Sequence, residues 1–196
     1  MILVEPEYLP SVNYFKIFSN NEITINYDVK FSDNPFFNRS RLVGDAGVFE
    51  IKIPIVDNSS AYLRDIKIDY SKNWINSHIQ SIQSAYGKYP YYIYYKDHII
   101  NKIKLRHNFL IDLNCDLLTL FCDLLNFENK IFKSDGKNQK NFQKTVKKSK
   151  NIKISSFAIK EFRNNFFLGK KFDYPVSVLD LLFLKGPESG YFINNY

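Results

Sequence analysis

Two arginines give the clearest chemical signal in this sequence. The stretch Asn38-Arg39-Ser40-Arg41 has the pattern of an extended segment, so Arg39 and Arg41 share one face at i, i+2 spacing. Two guanidinium groups side by side suit a carboxylate or a pyrophosphate, because each can bind it through two parallel hydrogen bonds. The alternative is an exposed strand with two solvated arginines.

Two carboxylates stand near the N-terminus, in the stretch Glu5-Pro6-Glu7-Tyr8-Leu9-Pro10. Glu5 and Glu7 lie at the end of a predicted first strand, on one strand face, and either can act as a general base if it is buried. In open α/β sheets, ligands bind at this end of the strands, next to helix N-termini. A rigid turn with surface acids is the alternative.

A histidine and two helix starts complete the candidates. His78 lies on the apolar face of a predicted helix with Trp74, where it is either a general base or a hydrogen-bonded core histidine. Asp112-Leu113-Asn114 and the pair Ser177 and Asp180 begin later helices, and capping accounts for both. The sequence contains no metal motif and no nucleotide-cofactor motif, so the cofactor is unknown.

The elements that must position these residues change character near residue 70. Before it, alternation predicts strands at the N-terminus and at 23–27, 48–53 and 66–68, with a helix at 11–18. After it, helical spacing predicts helices at 71–86, 91–105, 112–126 and 178–184, the last capped by Ser177. We therefore predict an α/β fold in a single domain over 1–196. An N-terminal mixed sheet of short strands is followed by a mostly helical C-terminal half.

The positive charge is concentrated in one stretch. The chain of 196 residues has a net charge of +7, and residues 130–153 hold nine lysines against one acid, Asp135, a local net of +8. We predict a solvated, mobile loop at 128–153, with recruitment of an acidic partner (tRNA, an acyl carrier protein or an anionic membrane) as the alternative. The stretch contains no arginine, so it is weak evidence for nucleic-acid binding. The lysines are Lys130, Lys133, Lys137, Lys140, Lys144, Lys147, Lys148, Lys150 and Lys153.

Several absences predict a cytoplasmic location. We find no apolar run of about 18 residues, which a transmembrane helix needs, and no signal-peptide pattern at the N-terminus. Cys115 and Cys122 stand two helical turns apart, too far to bridge each other, which indicates reduced thiols.

Taken in order, the motifs resemble the WbqC-like protein family. The Gly turn at 44–47 lies between two of the matching stretches. Together the matches span about residues 5–188. The matching stretches are Tyr8-Leu9-Pro10 with Tyr14-Phe15, Asn38-Arg39 with Arg41, Ile53-Pro54-Ile55, residues 66–90 with Trp74 and His78, Asp112-Leu113-Asn114, and residues 177–188.

The resemblance implies a cytoplasmic enzyme of bacterial O-antigen (lipopolysaccharide) biosynthesis. Family members sit in gene clusters for O-antigen and related surface polysaccharides, and some are proposed to be glycine transferases. This implies transfer of an aminoacyl or acyl group to an amino sugar of a nucleotide- or lipid-linked precursor. A non-catalytic binding or scaffold protein of the polysaccharide machinery is the alternative.

The resemblance also implies roles for individual residues. Such a transfer needs a base, for which we predict His78 or Glu5, and an oxyanion donor, for which we predict Asn38. The lysine-rich stretch would receive an acidic donor carrier such as an aminoacyl-tRNA or an acyl carrier protein. The predicted substrate-binding residues are Tyr8, Tyr14, Arg39, Arg41, Trp74 and Asn114.

Overall fold

The computed structural model describes residues 2–16, 18, 23–56, 61–127, 131–133 and 176–195, with the backbone alone for residues 2, 3 and 131–133. The strands are β1 (Ile2–Val4), β2 (Ile23–Ile25), β3 (Arg39–Gly44), β4 (Gly47–Lys52) and β5 (Ile131–Lys133). The helices are α1 (Val12–Phe15), α2 (Trp74–Tyr86), α3 (Tyr92–Lys104), α4 (Leu110–Leu124), α5 (Val178–Lys185) and α6 (Ser189–Asn195).

The described strands form two sheets. β2 lies in the centre of a parallel sheet, with β1 and β5 on its two sides. β3 and β4 form an antiparallel hairpin, which turns at Gly47, where φ is +124° and a side chain would be strained. The predicted α/β fold, with short N-terminal strands and a mostly helical second half, is confirmed. The single-domain organisation stays a prediction.

Three predicted elements differ from the structure. The prediction of a strand at 66–68 is wrong, because this segment makes only isolated bridges, Ile68 to Ile55 and Lys67 to Phe109. The helix at 11–18 is the single turn α1. α2 begins at Trp74 rather than at 71, since the Asp69 carboxylate accepts from the Ser71 backbone N–H and holds that segment in a turn.

The lysine-rich loop is largely outside the described residues. Residues 131–133 lie inside the stretch predicted as loop, but their backbone forms β5 beside β2, because Ile131 and Phe132 are strand-favouring residues. Of the nine lysines, Lys133 is described as part of β5, and the other eight lie outside the described residues, as does most of the predicted loop.

Helix α5 ties the N-terminal loop to the hairpin. The Ser177 backbone N–H donates to Arg41 O over 2.9 Å, and the Val178 N–H donates to Pro10 O over 2.8 Å. The Ser177 hydroxyl caps α5 by accepting from the Leu179 N–H, as predicted. A hydrophobic core that extends from Val4 to Ile193 supports both halves. In the described part of the chain, no helix has the length and apolar character to cross a bilayer.

Candidate functional site

The loop that follows β1 is anchored by buried side chains of other elements. Asn114 of α4 is fully buried, and its Nδ2 donates to Pro6 O over 2.9 Å and to Phe37 O over 2.8 Å. The Tyr14 hydroxyl of α1 donates to Glu5 O over 2.8 Å. Because Asn114 and Tyr14 bind backbone carbonyls, the structure gives both a positioning function, and their predicted contact with substrate stays a prediction.

The same loop carries backbone strain at Leu9. This residue has φ of +41°, in the left-handed region that a branched side chain rarely adopts. The Ser40 hydroxyl of β3 donates to Leu9 O over 2.8 Å, and the Tyr8 N–H donates to Phe36 O over 3.0 Å. Strained residues of this kind persist where neighbouring contacts hold them, and they cluster at ligand sites.

A small pocket, which we call the arginine pocket, opens beside this strained turn. Its volume is about 20 Å³, enough for one small group such as an ammonium, a hydroxyl or a phosphate oxygen. A ligand larger than this must therefore lie mostly over its mouth. The lining residues are Glu7, Tyr8, Leu9, Pro10, Ser11, Phe36, Arg39, Ser40, Arg41 and Ser177.

Arg39 and Arg41 line this pocket together. The predicted strand alternation is observed, since the buried Ser40 lies between two half-buried arginines. Arg39 Nη1 lies 3.2 Å from Glu50 Oε1, and the Arg41 guanidinium lies 5.2 Å from the centre of the Phe36 ring. The two cations thus stand on one face of β3, at the mouth of one concavity.

The two carboxylates of the loop converge on one buried amide. Asn34 Nδ2 donates to Glu7 Oε1 over 2.8 Å and lies 3.5 Å from Glu5 Oε2. β1 ends at Val4, so the expectation that both acids share a strand face is wrong. Glu7 lines the arginine pocket, whereas Glu5 does not.

His78 lies behind the pocket wall with both ring nitrogens bound. Nε2 is 3.2 Å from Lys52 O, and Nδ1 is 2.9 Å from the Tyr8 hydroxyl. A carbonyl only accepts, so we assign the proton to Nε2, and Nδ1 then accepts from Tyr8. Burial lowers the pKa of His78 to about 4, partly opposed by the bond to the Lys52 carbonyl. This geometry matches the core-histidine alternative, and the role as general base stays a prediction.

Asn38 is buried and closes the open end of the hairpin. Its side-chain Nδ2 donates to the backbone carbonyl of Ile53 over 2.8 Å, while the backbone carbonyl of Asn38 accepts from the Ile53 N–H. The amide therefore holds backbone in the structure, and its role as an oxyanion donor stays a prediction. It lies next in the chain to Arg39, so it fixes the start of the strand that carries both arginines.

Trp74 belongs to a neighbouring concavity, which we call the tryptophan groove. The groove is open and has a volume of about 500 Å³. The centres of the Trp74 and His78 rings are 5.1 Å apart. Of the predicted site residues, Tyr8, Arg39 and Arg41 thus meet in one pocket, Trp74 lies in the groove, and His78 lies between the two. The groove is lined by Lys52, Pro54, Ile55, Lys72, Asn73, Trp74 and Ser77.

Seven of the ten residues that line the pocket were not assigned a role in the predicted transfer reaction, among them Glu7, Ser40 and Ser177. Glu7 had the same standing in the sequence as Glu5, and only the course of the chain after Pro6 separates them. Ser177 carried a capping signal alone, and Ser40 carried none. Across the described residues, no group of three or more His, Cys, Asp and Glu side chains is arranged to hold a metal ion.

A family model for the WbqC-like protein family matches residues 5–167. The chain belongs to this family. The WbqC-like match includes every described residue that lines the arginine pocket except Ser177, and it includes the whole lining of the tryptophan groove. Neither a search of curated proteins nor a search of solved structures found a match.

Proposed function

We propose that this WbqC-like protein is a cytoplasmic transferase that moves an aminoacyl or acyl group onto the amine of a phosphate-linked amino sugar, an O-antigen precursor. The observation that carries the proposal is that Glu7, Arg39 and Arg41 line one pocket. A proton acceptor and a pair of cations are what an ammonium-bearing, phosphate-bearing acceptor needs. The strained turn and its buried anchors fix these groups before the substrate arrives.

The chemistry divides between these side chains. Glu7 takes a proton from the sugar ammonium, and the freed nitrogen lone pair attacks the carbonyl carbon of the donor. A C–N bond forms, and the bond to the leaving group of the donor breaks as that group takes the electron pair and a proton. Asn34 orients the Glu7 carboxylate by its 2.8 Å hydrogen bond. Arg39 and Arg41 hold the phosphate of the acceptor.

In this proposal the buried polar residues are positioning residues. His78 supports Tyr8 in the pocket wall, Asn38 fixes the start of β3, and Asn114 holds the loop at Pro6. The competing assignment gives the proton transfer to His78 or to Glu5. Substitutions of Glu7, His78 and Glu5 distinguish these assignments, because removing a general base lowers the rate by roughly 10²- to 10⁴-fold.

The test is a mass-spectrometric transfer assay with nucleotide-linked amino sugars and a panel of aminoacyl and acyl donors. We expect Glu7→Gln to lose at least about 100-fold in kcat, and Glu5→Gln to lose far less. Arg39→Ala and Arg41→Ala should raise KM for the phosphate-linked acceptor. Arg64→Ala removes a surface arginine that pairs with Asp28 and is the matched control.

Two outcomes would overturn the proposal. One is the absence of a mass shift with every donor and acceptor. The other is wild-type turnover in Glu7→Gln combined with a large loss in folded His78→Gln or Glu5→Gln, which would move the base to that residue. Circular dichroism of each variant separates a lost reaction from a lost fold.

The small size of the pocket favours a second candidate, a non-catalytic binding protein for the same precursor. A volume of about 20 Å³ holds one group of the ligand and leaves the rest exposed to water. A binding protein needs no water-free reaction centre, so this geometry suffices for it. Binding of the amino-sugar phosphate that depends on Arg39 and Arg41, without turnover by any donor, would support this candidate.

The lysine-rich stretch extends the proposal to the donor. We propose that the nine lysines of 130–153 bind an acidic carrier, an aminoacyl-tRNA or an acyl carrier protein. Neutralising them should abolish a steep salt dependence of carrier binding while leaving binding of the sugar acceptor intact. Salt-independent binding would contradict this part alone.

A further inference from the structure

The tryptophan groove is the larger of the two concavities around the hairpin. At about 500 Å³ it falls within the size range of small-molecule sites, whereas the arginine pocket does not. Pro54, Ile55 and Trp74 give it an apolar wall, and Lys52 and Lys72 add two cations. This combination suits a ligand that has both a ring system and an anionic group.

The groove and the arginine pocket are adjacent. Lys52 of the groove pairs directly with Arg39 of the pocket across the hairpin. Directly opposed residues point to the same side of a sheet, with their Cβ atoms about 5 Å apart. Their cationic groups therefore flank one boundary, and a ligand that crosses it meets positive charge from both sides.

A further feature of the groove favours an anion. The N-terminus of α2 also begins here, without a side-chain cap, so its first N–H groups add to the attraction for an anion.

We propose that the tryptophan groove binds the nucleoside diphosphate part of a nucleotide-linked substrate. The nucleoside ring lies against Pro54, Ile55 and Trp74, and the diphosphate lies between Lys52 and Arg39. The attached sugar then reaches Glu7 in the arginine pocket. The sugar end of this assignment rests on the proposed function, whereas the nucleotide end rests on the groove alone.

Trp74 makes the test direct, because it is the single tryptophan of the chain. Titration of the full-length protein with UDP, GDP and dTDP should change its fluorescence, and calorimetry gives the Kd. We expect the Lys52→Ala, Lys72→Ala double variant to raise the Kd at least tenfold. Lys88→Ala removes an exposed lysine just beyond the C-terminal end of α2 and should leave the Kd unchanged.

Fragments of the ligand identify which part is recognised. Uridine alone and inorganic phosphate alone should each bind at least tenfold more weakly than UDP, because each lacks one half of the ligand. Farnesyl diphosphate carries the same diphosphate on a lipid chain. If it binds as tightly as the best nucleotide, the nucleotide assignment is overturned in favour of a lipid-linked substrate.

The remaining outcomes separate this inference from the proposed function. Absence of binding by all three nucleotides at millimolar concentration, or equal Kd values in the double variant and wild type, overturns the inference even if transfer occurs. Lysine-dependent nucleotide binding with no transfer by any donor leaves the inference standing and removes the transferase.

Discussion

The phenol oxygen of Tyr8 lies 2.9 Å from Nδ1 of His78, and both side chains are buried. The partners are 70 residues apart in sequence, so this bond joins the loop after β1 to α2. The His78 ring also contacts Trp74, and Tyr8 lines the arginine pocket. One neutral imidazole therefore connects the pocket with the tryptophan groove, and protonating it would disrupt the packing of both.

The stability of the protein should fall in acid because of His78. Its pKa is lowered from 6.5 to about 4 in the folded chain, so the unfolded chain takes up the proton first. The stability that His78 contributes is complete above pH 6.5 and is lost as the pH falls towards 4, by on the order of 3 kcal/mol. Urea unfolding at several pH values measures this loss. His78→Gln should remove that part of the pH dependence, and replacement of the exposed His98 should retain it; equal slopes for wild type and His78→Gln would contradict the assignment.

Tyr8→Phe should destabilise the fold by about 1–3 kcal/mol, because it leaves Nδ1 of a buried imidazole without a donor. The change removes one oxygen and keeps the ring, so packing is nearly conserved. Tyr94 is 68% exposed, and Tyr94→Phe should shift the free energy of unfolding by less than about 0.5 kcal/mol. If urea titrations give both variants the stability of wild type, the hydrogen bond between Tyr8 and His78 contributes nothing to the free energy of unfolding.

Local patterns predicted the parts of the site that depend on local geometry. Arg39 and Arg41 share a face because side chains alternate with a period of two in any strand. Ser177 caps α5 because a serine before an apolar helical run satisfies the N–H groups of the first turn. The family was identified from the order of such motifs, and the family match confirms it.

The partners of buried polar side chains could not be predicted, because tertiary packing decides them. Asn114 binds the Pro6 carbonyl across 108 residues, and nothing near Asn114 in sequence points to that partner. The choice between Glu5 and Glu7 depends on how the chain turns after Pro6, which Asn34 and Asn114 help to fix. Local sequence therefore predicts which residue types are present at a site more readily than which of them face the ligand.

Asn114→Asp should be strongly destabilising, by about 3 kcal/mol or more. The substitution keeps the shape but replaces a donor to two carbonyl oxygens with a carboxylate oxygen, inside a fully buried site. Asn101→Asp on the exposed face of α3 is the matched control, with an expected cost below about 1 kcal/mol. Urea unfolding near pH 7 compares the two. Similar costs for both would mean that the amide of Asn114 does not anchor the Pro6 loop.

Glu50→Gln should strengthen binding of a phosphate-bearing ligand without weakening the fold. Glu50 lies directly opposite Arg41, and its carboxylate pairs with Arg39 over 3.2 Å. Both partners of this ion pair are more than a third exposed, so its contribution to stability is small, about 1 kcal/mol at most. Loss of the carboxylate removes a negative charge beside Arg39 and Lys52, so their attraction for an anion rises.

We therefore expect UDP to bind several-fold more tightly to Glu50→Gln at low salt. The gain should shrink as salt rises, since the screening length falls to about 10 Å at 0.1 M. Asp65→Asn removes an exposed acid next to Arg64 and should leave the affinity unchanged, which controls for net charge. Calorimetric titration at two salt concentrations gives both comparisons. An affinity that stays the same or falls in Glu50→Gln would mean that the anion does not lie at the boundary between Arg39 and Lys52, because an acid removed from that boundary must favour any anion bound there.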